Sequence, residues 1–242
     1  MKLLTIVIPA YNEESFIGEL LKIIVDLDLS SIGFEKEIIV VDDASKDRTF
    51  EIASGFSGVK VVRLESNQGK GAAVSRGISL SCGEFVIIQD ADLEYSPFEY
   101  STMLNVINMN PNSKVSVYGS RLLGQIANNG KLSFGKHKDQ DFLPWLAGIV
   151  LSFWCLLLFG VLITDTLTAY KIYEGNFIRG LNLKTSGFET DHEITAKLIR
   201  NGYNILEVPI SYSPRTVEEG KKIKAIDGVK AITTFFRFRF FN

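Results

Sequence analysis

Cysteine and histidine are scarce in this 242-residue chain, with two of each. Cys82 and Cys155 stand far apart in apolar stretches. That spacing argues against a disulfide framework and a zinc nest, and predicts two buried free thiols in a reducing compartment. His192 has Asp191 beside it but no second histidine at ligand spacing, and His137 lies in a lysine-rich stretch. A structural role on or under a helix is the expectation for His192. An excess of charge of one sign is missing too. A formal net charge of −2 provides no field for a polyanion and argues against nucleic acid as a partner. The start, Met1 to Pro9, has no long apolar core followed by a small-residue cleavage site, so it reads as a first strand and the cytoplasm is the default. Internal repeats and low-complexity segments are absent.

What the chain has is apolar residues, 46% of the total, enough to fill one large α/β core. Apolar runs at 3–8, 37–41, 59–64, 85–89 and 115–118 predict strands. Between them lie helical patterns at 13–27 (Asn12 as cap), from Ser45 or Asp47 to Ala53, and at 69–81. This alternation to about residue 110 predicts a doubly wound, mostly parallel sheet. Residues 122–141 are polar and predict a loop, with a helix at 190–201 and a strand at 204–212 following.

Two further segments set the chain apart from a plain α/β domain. Residues 142–163 hold no charge over 22 positions. That length meets the requirement of about 20 residues for a bilayer crossing. Pro144, Gly148 and Gly160 interrupt it, however, and a crossing would part Asp165 and Arg215 from Asp90. A helix lying on or dipping into one leaflet is therefore preferred to a spanning one. From Arg215 onward, seven basic residues face three acidic ones, and Phe235, Phe236, Phe238, Phe240 and Phe241 interleave with Arg237 and Arg239. Such a segment suits an anionic membrane surface, or equally an amphipathic helix packed on the domain or on a partner subunit. The expected division is a catalytic domain over 1–215 and a basic, aromatic, membrane-proximal segment over 216–242.

The run Phe85-Val-Ile-Ile-Gln-Asp90-Ala-Asp92-Leu-Glu94 ends a buried strand in three closely spaced carboxylates. Carboxylates so close repel unless a cation sits among them. Oxygen ligands suit Mg²⁺ or Mn²⁺, which typically also hold substrate phosphates. Pro9-Ala-Tyr-Asn-Glu13, Val41-Asp-Asp-Ala-Ser45 with Asp47, and Asn67-Gln-Gly-Lys-Gly71 follow the first three strands. All four motifs fall at carboxyl ends, where open α/β sheets bind ligands.

This ordered set resembles family 2 glycosyltransferases of the GT-A fold, and within them the polyprenyl-phosphate glycosyltransferases such as dolichol-phosphate mannose synthase. Tyr118-Gly-Ser-Arg121, Leu158-Phe-Gly160, Thr164-Asp165, Tyr170-Lys171, Glu193, Glu207-Val-Pro-Ile210, Arg215 and Glu219-Gly-Lys-Lys222 extend the likeness over nearly the whole chain. The resemblance implies a GT-A, Rossmann-like sheet with an interfacial apolar helix and a C-terminal amphipathic segment. It implies a nucleotide-sugar pocket formed by Pro9, Tyr11, Glu13, Asp42, Asp43, Lys70, Asp90, Ala91 and Asp92, with Asp42 at the base or ribose. It implies Mg²⁺ or Mn²⁺ on Asp90 and Asp92. Glu94 stands where the family often has glutamine, and is either a third ligand or a turn cap. Arg121, Arg215, Lys221 and Lys222 would grip an acceptor phosphate, and Asp92, Asp165, Arg121 and Arg215 would carry catalysis.

Several positions keep two readings. Asp43 and Asp47 either share the donor pocket or cap the next helix. Lys70 is a phosphate contact or a loop lysine, and Arg121 a phosphate fork or a surface ion pair. Asp165 is a general base or an orienting group, because a phosphate acceptor is already anionic. Glu193 is an acceptor-side acid or pairs with Lys197 one helical turn on. Lys136-His-Lys-Asp139 replaces an arginine-containing segment of the relatives.

The expected function is metal-dependent, inverting transfer of a hexose from a GDP- or UDP-sugar to a polyprenyl phosphate at the cytoplasmic membrane face. The alternatives are transfer to a saccharide hydroxyl, and a non-catalytic receiver-like module. A homo-oligomer is left open.

Overall fold

The computed structural model describes residues 1–129, 142–214 and 225–241. A seven-stranded sheet organises it, in the order β3-β2-β1-β4-β6-β5-β7. The strands are β1 (Lys2–Ala10), β2 (Phe34–Asp42), β3 (Val59–Arg63), β4 (Phe85–Ile88), β5 (Val115–Ser120), β6 (Lys171–Glu174) and β7 (Asn204–Pro209). Four of the six pairings meet the expectation of a mostly parallel sheet: β1–β2, β1–β4, β2–β3 and β5–β7 are parallel, whereas β6 runs antiparallel to both β4 and β5.

The central strand β1 is buried on both faces, as a parallel strand covered by two helical layers must be. Its alternation separates two cores. Leu4, Ile6 and Ile8 join Ile38 and Val40 on one face. Helices α1 (Ile17–Asp26), α2 (Thr49–Ser54) and α4 (Tyr100–Met109) cover that face through Ile17, Leu20, Ala53, Met103 and Leu104. Val7, Val86 and Ile88 point the other way. There they meet α3 (Lys70–Leu80), α6 (Phe142–Phe159), α7 (Gly175–Arg179), α8 (Thr190–Arg200) and α9 (Ala225–Phe240) through Val74, Leu151, Ile178, Ile194 and Phe235. Full burial of one such side chain contributes roughly 1.5–3 kcal/mol.

Some expectations need correction. Asn12 does not cap α1, which begins at Ile17 without a side-chain cap. Asn12 instead takes φ +52° and its Oδ1 accepts the Lys46 N–H at 2.8 Å. The expected loop at 122–141 begins as helix α5 (Arg121–Asn129), whose Gly124 lets it close onto Ile210: a Cβ there would meet the Ile210 carbonyl oxygen at 2.0 Å. The segment Lys136-His-Lys-Asp139 lies outside the described residues. Cys155 is buried as expected, but Cys82 is exposed, since it follows the end of α3 in the turn into β4. Burial pushes the Cys155 thiol up to about 12.

The apolar run forms α6 up to Phe159, and Gly160 at φ +71° ends it. Among the described residues no helix is long and apolar enough to cross a membrane. Leu151 and Cys155 face the core, while Leu146, Ile149, Val150, Phe153, Leu156 and Leu157 form an exposed stripe at helical spacing. Helix α9 lies against α6 and α8 and buries Ala231, Phe235 and Phe238. Its other side exposes Ile226, Val229, Phe236 and Phe240.

Candidate active site

β1 and β4 leave the sheet side by side, and their exits form the floor of the site. The loop after β1 is knitted to the loop after β2. Asp43 N–H donates to the Ala10 carbonyl at 2.8 Å, Asn12 N–H to Ser45 Oγ at 3.0 Å, and Glu13 N–H to Thr49 Oγ1 at 2.8 Å. Pro9 and Glu13 are buried and Tyr11 is half-buried. Asn12, Ala44 and Leu93 all have positive φ, at 52°, 59° and 59°. Three non-glycine residues in the left-handed region, on three adjoining loops, mark backbone held by its surroundings and not by preference.

The two aspartates after β2 take different duties. Asp42 is fully buried and its carboxylate meets Arg63 Nε at 3.2 Å and the Ser45 N–H at 3.3 Å. Asp43 accepts the Gln68 and Gly69 N–H groups, each at 2.8 Å, and so fixes the loop that opens α3; it does not cap α2. Asp47 serves that end: its Oδ1 accepts the Thr49 N–H at 3.0 Å and its Oδ2 the Glu14 N–H at 3.2 Å.

Gly69, at φ +96°, turns the chain into α3 and sets Lys70 at the helix start. Lys70 is not an exposed loop lysine. Its Nζ lies 2.6 Å from Asp90 Oδ1, with 17% and 20% of the two side chains exposed. Burial alone would lower the ammonium, but Asp90, Asp191 and Asp92 together hold it above its ordinary value.

Asp92 Oδ1 accepts the Glu94 N–H at 3.2 Å. Glu94 belongs to a different contact, since its Oε2 accepts the Tyr212 hydroxyl at 3.0 Å and its carbonyl the Ser213 N–H at 3.0 Å. Among the described residues no three carboxylate, histidine or cysteine side chains converge to hold a metal. Of the expected ligands Asp90, Asp92 and Glu94, Glu94 is bonded to the segment after β7. Two hard oxygen donors on one loop still fit Mg²⁺ or Mn²⁺, which usually keep waters and substrate phosphates as remaining ligands. The ammonium of Lys70 at Asp90 shows that a cation is accommodated there. Gln89 braces the loop: its Nε2 donates to the Asp90 carbonyl at 2.9 Å, and its Oε1 accepts the hydroxyls of Tyr100 at 2.6 Å and Tyr170 at 2.5 Å.

The second half of the site lies at the ends of β5 and β7. Arg121, the first residue of α5, donates from Nε and Nη2 to the two carboxylate oxygens of Asp165 at 2.6 and 2.7 Å, and its N–H adds a third bond at 3.0 Å. Asp165 is buried and only 18% of the Arg121 side chain is exposed, so the surface-ion-pair reading of Arg121 is set aside. Burial would raise the Asp165 carboxyl, but the Arg121 guanidinium beside it pulls it below the usual range. Arg121 also lies 4.9 Å from the Tyr212 ring, which packs against Tyr95 at 5.1 Å.

Glu207 holds the other side of the pair, accepting the Thr164 N–H and hydroxyl, each at 2.8 Å, and the Asp165 N–H at 3.1 Å. Its role was not read from the sequence; the only signal was its place in Glu207-Val-Pro-Ile210. Lys171 was also missed as a site group. It is fully buried with Nζ 3.2 Å from the Thr166 carbonyl and 5.0 Å from the Tyr118 ring, and burial, only partly offset by Asp191 and Asp165, lowers it. Glu193 is the partner of Lys197 at 2.5 Å and also accepts the Lys184 and Thr185 N–H groups, so it ties down the loop before α8. Ala91 is buried between the two aspartates. Arg215, Lys221 and Lys222 lie outside the described residues.

Comparison with known proteins bears on this arrangement. The model described as glycosyl transferase family 2 matches residues 5–162. Dolichol-phosphate mannosyltransferase of Pyrococcus furiosus is 30% identical over 90% of this chain and 58% of its own length. The chain thus spans little more than half of that relative. UDP-N-acetylglucosamine–dolichyl-phosphate N-acetylglucosaminyltransferase of Methanococcus voltae is 27% identical over 92% of this chain and 91% of its own. Among solved structures, glucosyl-3-phosphoglycerate synthase of Mycobacterium tuberculosis bound to UDP superposes with a TM-score of 0.68 at 18% identity, over 100% of this chain and 81% of that one. Its likeness concerns the fold and supports the expected GT-A architecture. With the family model spanning the β1, β2 and β4 exits and the Asp90–Asp92 pair, the chain belongs to glycosyl transferase family 2.

Proposed function

We propose that this chain transfers a hexose from a GDP- or UDP-sugar to a polyprenyl phosphate at the cytoplasmic face of a membrane, with inversion at the anomeric carbon. One observation carries the lipid acceptor: the helix with the exposed apolar stripe runs, within five residues of its end, into the Thr164-Asp165 corner that holds Arg121. A lipid chain lying along α6 would bring its phosphate to that arginine. The dolichyl-phosphate enzymes among the relatives support the same acceptor class.

The donor half is assigned to the β1, β2 and β4 exits. Tyr11, Glu13 and the Asp42–Asp43 corner frame the nucleotide, and Lys70 faces the diphosphate. Mg²⁺ or Mn²⁺ on Asp90 and Asp92 would neutralise the departing nucleoside diphosphate, and a neighbour of this fold crystallised with Mn²⁺ and UDP supports that choice. Asp165 takes Nε and Nη2 of Arg121, so Nη1 remains for an acceptor phosphate oxygen. That oxygen attacks the anomeric carbon while the bond to the diphosphate oxygen breaks. A phosphate needs no proton removed at neutral pH, so Asp165 positions Arg121 and does not act as a base. Arg215, Lys221 and Lys222 are proposed to add positive charge as the leaving group forms.

The test supplies labelled UDP- and GDP-hexoses, Mg²⁺ or Mn²⁺ and a polyprenyl phosphate in vesicles. Label should become extractable into organic solvent, and Asp92→Ala should lose at least about a hundredfold in rate. Wild-type transfer by Asp92→Ala at saturating metal would remove the metal site. Transfer to soluble saccharides with no lipid present would remove the acceptor.

A further inference from the structure

Lys70 has a fixed backbone and a side chain engaged with the very carboxylate that a metal would require. Before it, the Gln68 and Gly69 N–H groups are tied to Asp43, each at 2.8 Å. After it, the Ala72 N–H donates to the Ser186 carbonyl at 3.1 Å. Gly71 leaves no space: a Cβ would stand 2.0 Å from Thr190 Oγ1 and 2.6 Å from the Ser186 carbonyl carbon. Only the side-chain torsions of Lys70 are left to move.

The position is a poor one for a lone lysine. It is the first residue of an 11-residue helix, where the macrodipole disfavours positive charge. It is mostly covered, with the Phe188 ring centroid 5.6 Å from Nζ. What keeps the ammonium there is the contact to Asp90 at 2.6 Å, supported by Asp191 and Asp92. A divalent cation on Asp90 would have to displace this ammonium or sit against it, and like charges in a half-buried site repel strongly.

The Lys70–Asp90 contact shows how the conflict resolves. A cation that arrives alone must take Asp90 from the ammonium and leave it without that partner. A nucleotide-sugar diphosphate that arrives with the cation offers the ammonium a new anionic partner, so Lys70 moves from Asp90 to the diphosphate. We infer that Lys70 is an internal counter-ion that occupies Asp90 in the donor-free protein, so that cation and nucleotide diphosphate enter as a neutral pair and each raises the affinity for the other. This rests on the reading of Asp90 and Asp92 as the metal–diphosphate site.

The experiment measures binding, not turnover. Mn²⁺ is titrated into the full chain and free Mn²⁺ is followed by its electron paramagnetic resonance signal, alone and with UDP or GDP, corrected for the Mn²⁺–nucleotide complex in solution. In the wild type, one of the two nucleotides should tighten Mn²⁺ binding by at least about tenfold, within the range of about 5- to 150-fold common for coupled sites. Lys70→Met should bind Mn²⁺ without nucleotide about tenfold tighter than wild type and show a weaker nucleotide effect. Lys70→Arg, which keeps the cation on Asp90, should behave as wild type, and Asp90→Asn added to Lys70→Met should abolish the gain. Lys70→Gln, expected to follow Lys70→Met, replaces it should the methionine variant unfold. If Lys70→Met binds Mn²⁺ no better than wild type while nucleotide still promotes Mn²⁺ binding to the wild type, the counter-ion inference fails alone. If the wild type binds Mn²⁺ with neither nucleotide, the metal–diphosphate reading fails and takes the inference with it.

Discussion

Arg121 and Asp165 form a unit whose partners lie 44 residues apart, joined by three hydrogen bonds in a buried corner. Removing one charge of such a pair leaves the other desolvated without compensation. Asp165→Asn should therefore cost about 3–5 kcal/mol, read as a lower urea midpoint at pH 7. The sign of its pH dependence follows from the lowered Asp165 carboxyl. A carboxylate with a depressed folded value stabilises above its unfolded value, about 3.9, and that contribution disappears as pH falls through the folded value. The gap between wild type and Asp165→Asn should hold from pH 7 to about pH 5 and close below about pH 4. In transfer assays the same variant should raise the KM for polyprenyl phosphate more than the KM for the nucleotide sugar, because Arg121 loses its orientation while the donor half is untouched. An equal rise in both would separate Asp165 from the acceptor. The sequence marked both residues but as independent agents, since nothing in local spacing reveals a contact between the end of β5 and the segment that leads from α6 to β6.

At the scale of elements, α8 and α9 meet around a histidine. His192 is buried, its ring lies 5.0 Å edge-on to Phe235, and neither ring nitrogen has a hydrogen-bond partner among the described residues. Burial, with Lys171 nearby, lowers its value to about 3 from an ordinary 6.5. The folded protein thus holds His192 neutral while the unfolded chain takes up a proton below about pH 6.5. Stability from this source is complete above that pH and is lost, at about 1.4 kcal/mol per pH unit, as pH falls towards 3. Wild type should lose roughly 2 kcal/mol more than His192→Leu between pH 7 and pH 5, measured by urea unfolding at both pH values. Equal losses would show that His192 is solvated or partnered. The elements around it differ in how plainly the sequence announces them. β4 and the Ile38–Val41 half of β2 are unbroken apolar runs, and only Thr5 interrupts Leu3–Ile8 of β1; both faces are covered there, and these strands are readable at once. β6 is four residues long and opens with Lys171, a charge that disguises a buried strand. Its antiparallel place between β4 and β5 depends on long-range pairing that no periodicity encodes. The donor half of the site follows the readable strands and was legible for that reason; Glu207, Lys171 and the Glu94–Tyr212 contact depend on the later strands and were not.

Taken as a whole, the molecule concentrates its exposed large apolar side chains on two adjoining helices. Leu146, Ile149, Val150, Phe153, Leu156 and Leu157 on α6 and Ile226, Val229, Phe236 and Phe240 on α9 are exposed, and the two helices pack together. Exposed large apolar side chains gathered on two packed helices are the usual mark of an interaction site. Lys230, Arg237 and Arg239 are exposed on the same α9 and supply the positive charge that an anionic leaflet attracts. The tail is thus both packed on the domain, through Phe235 and Phe238, and free to present its other side. The two contributions to the proposed membrane binding separate by salt, because charge attraction is screened within about 10 Å at 0.1 M and apolar insertion is not. Vesicle flotation should recover the wild type with both anionic and neutral phospholipid, more with the anionic and less so as salt rises. Arg237→Gln with Arg239→Gln should weaken binding to anionic vesicles, roughly fivefold for each residue, and leave neutral vesicles unchanged. Phe153→Ser with Leu157→Ser should weaken binding to both at every salt concentration, by roughly tenfold or more. A wild type that stays in the aqueous fraction with anionic vesicles at low salt would show that the stripe is covered by another protein surface, and the lipid acceptor would then have to reach Arg121 by a different route.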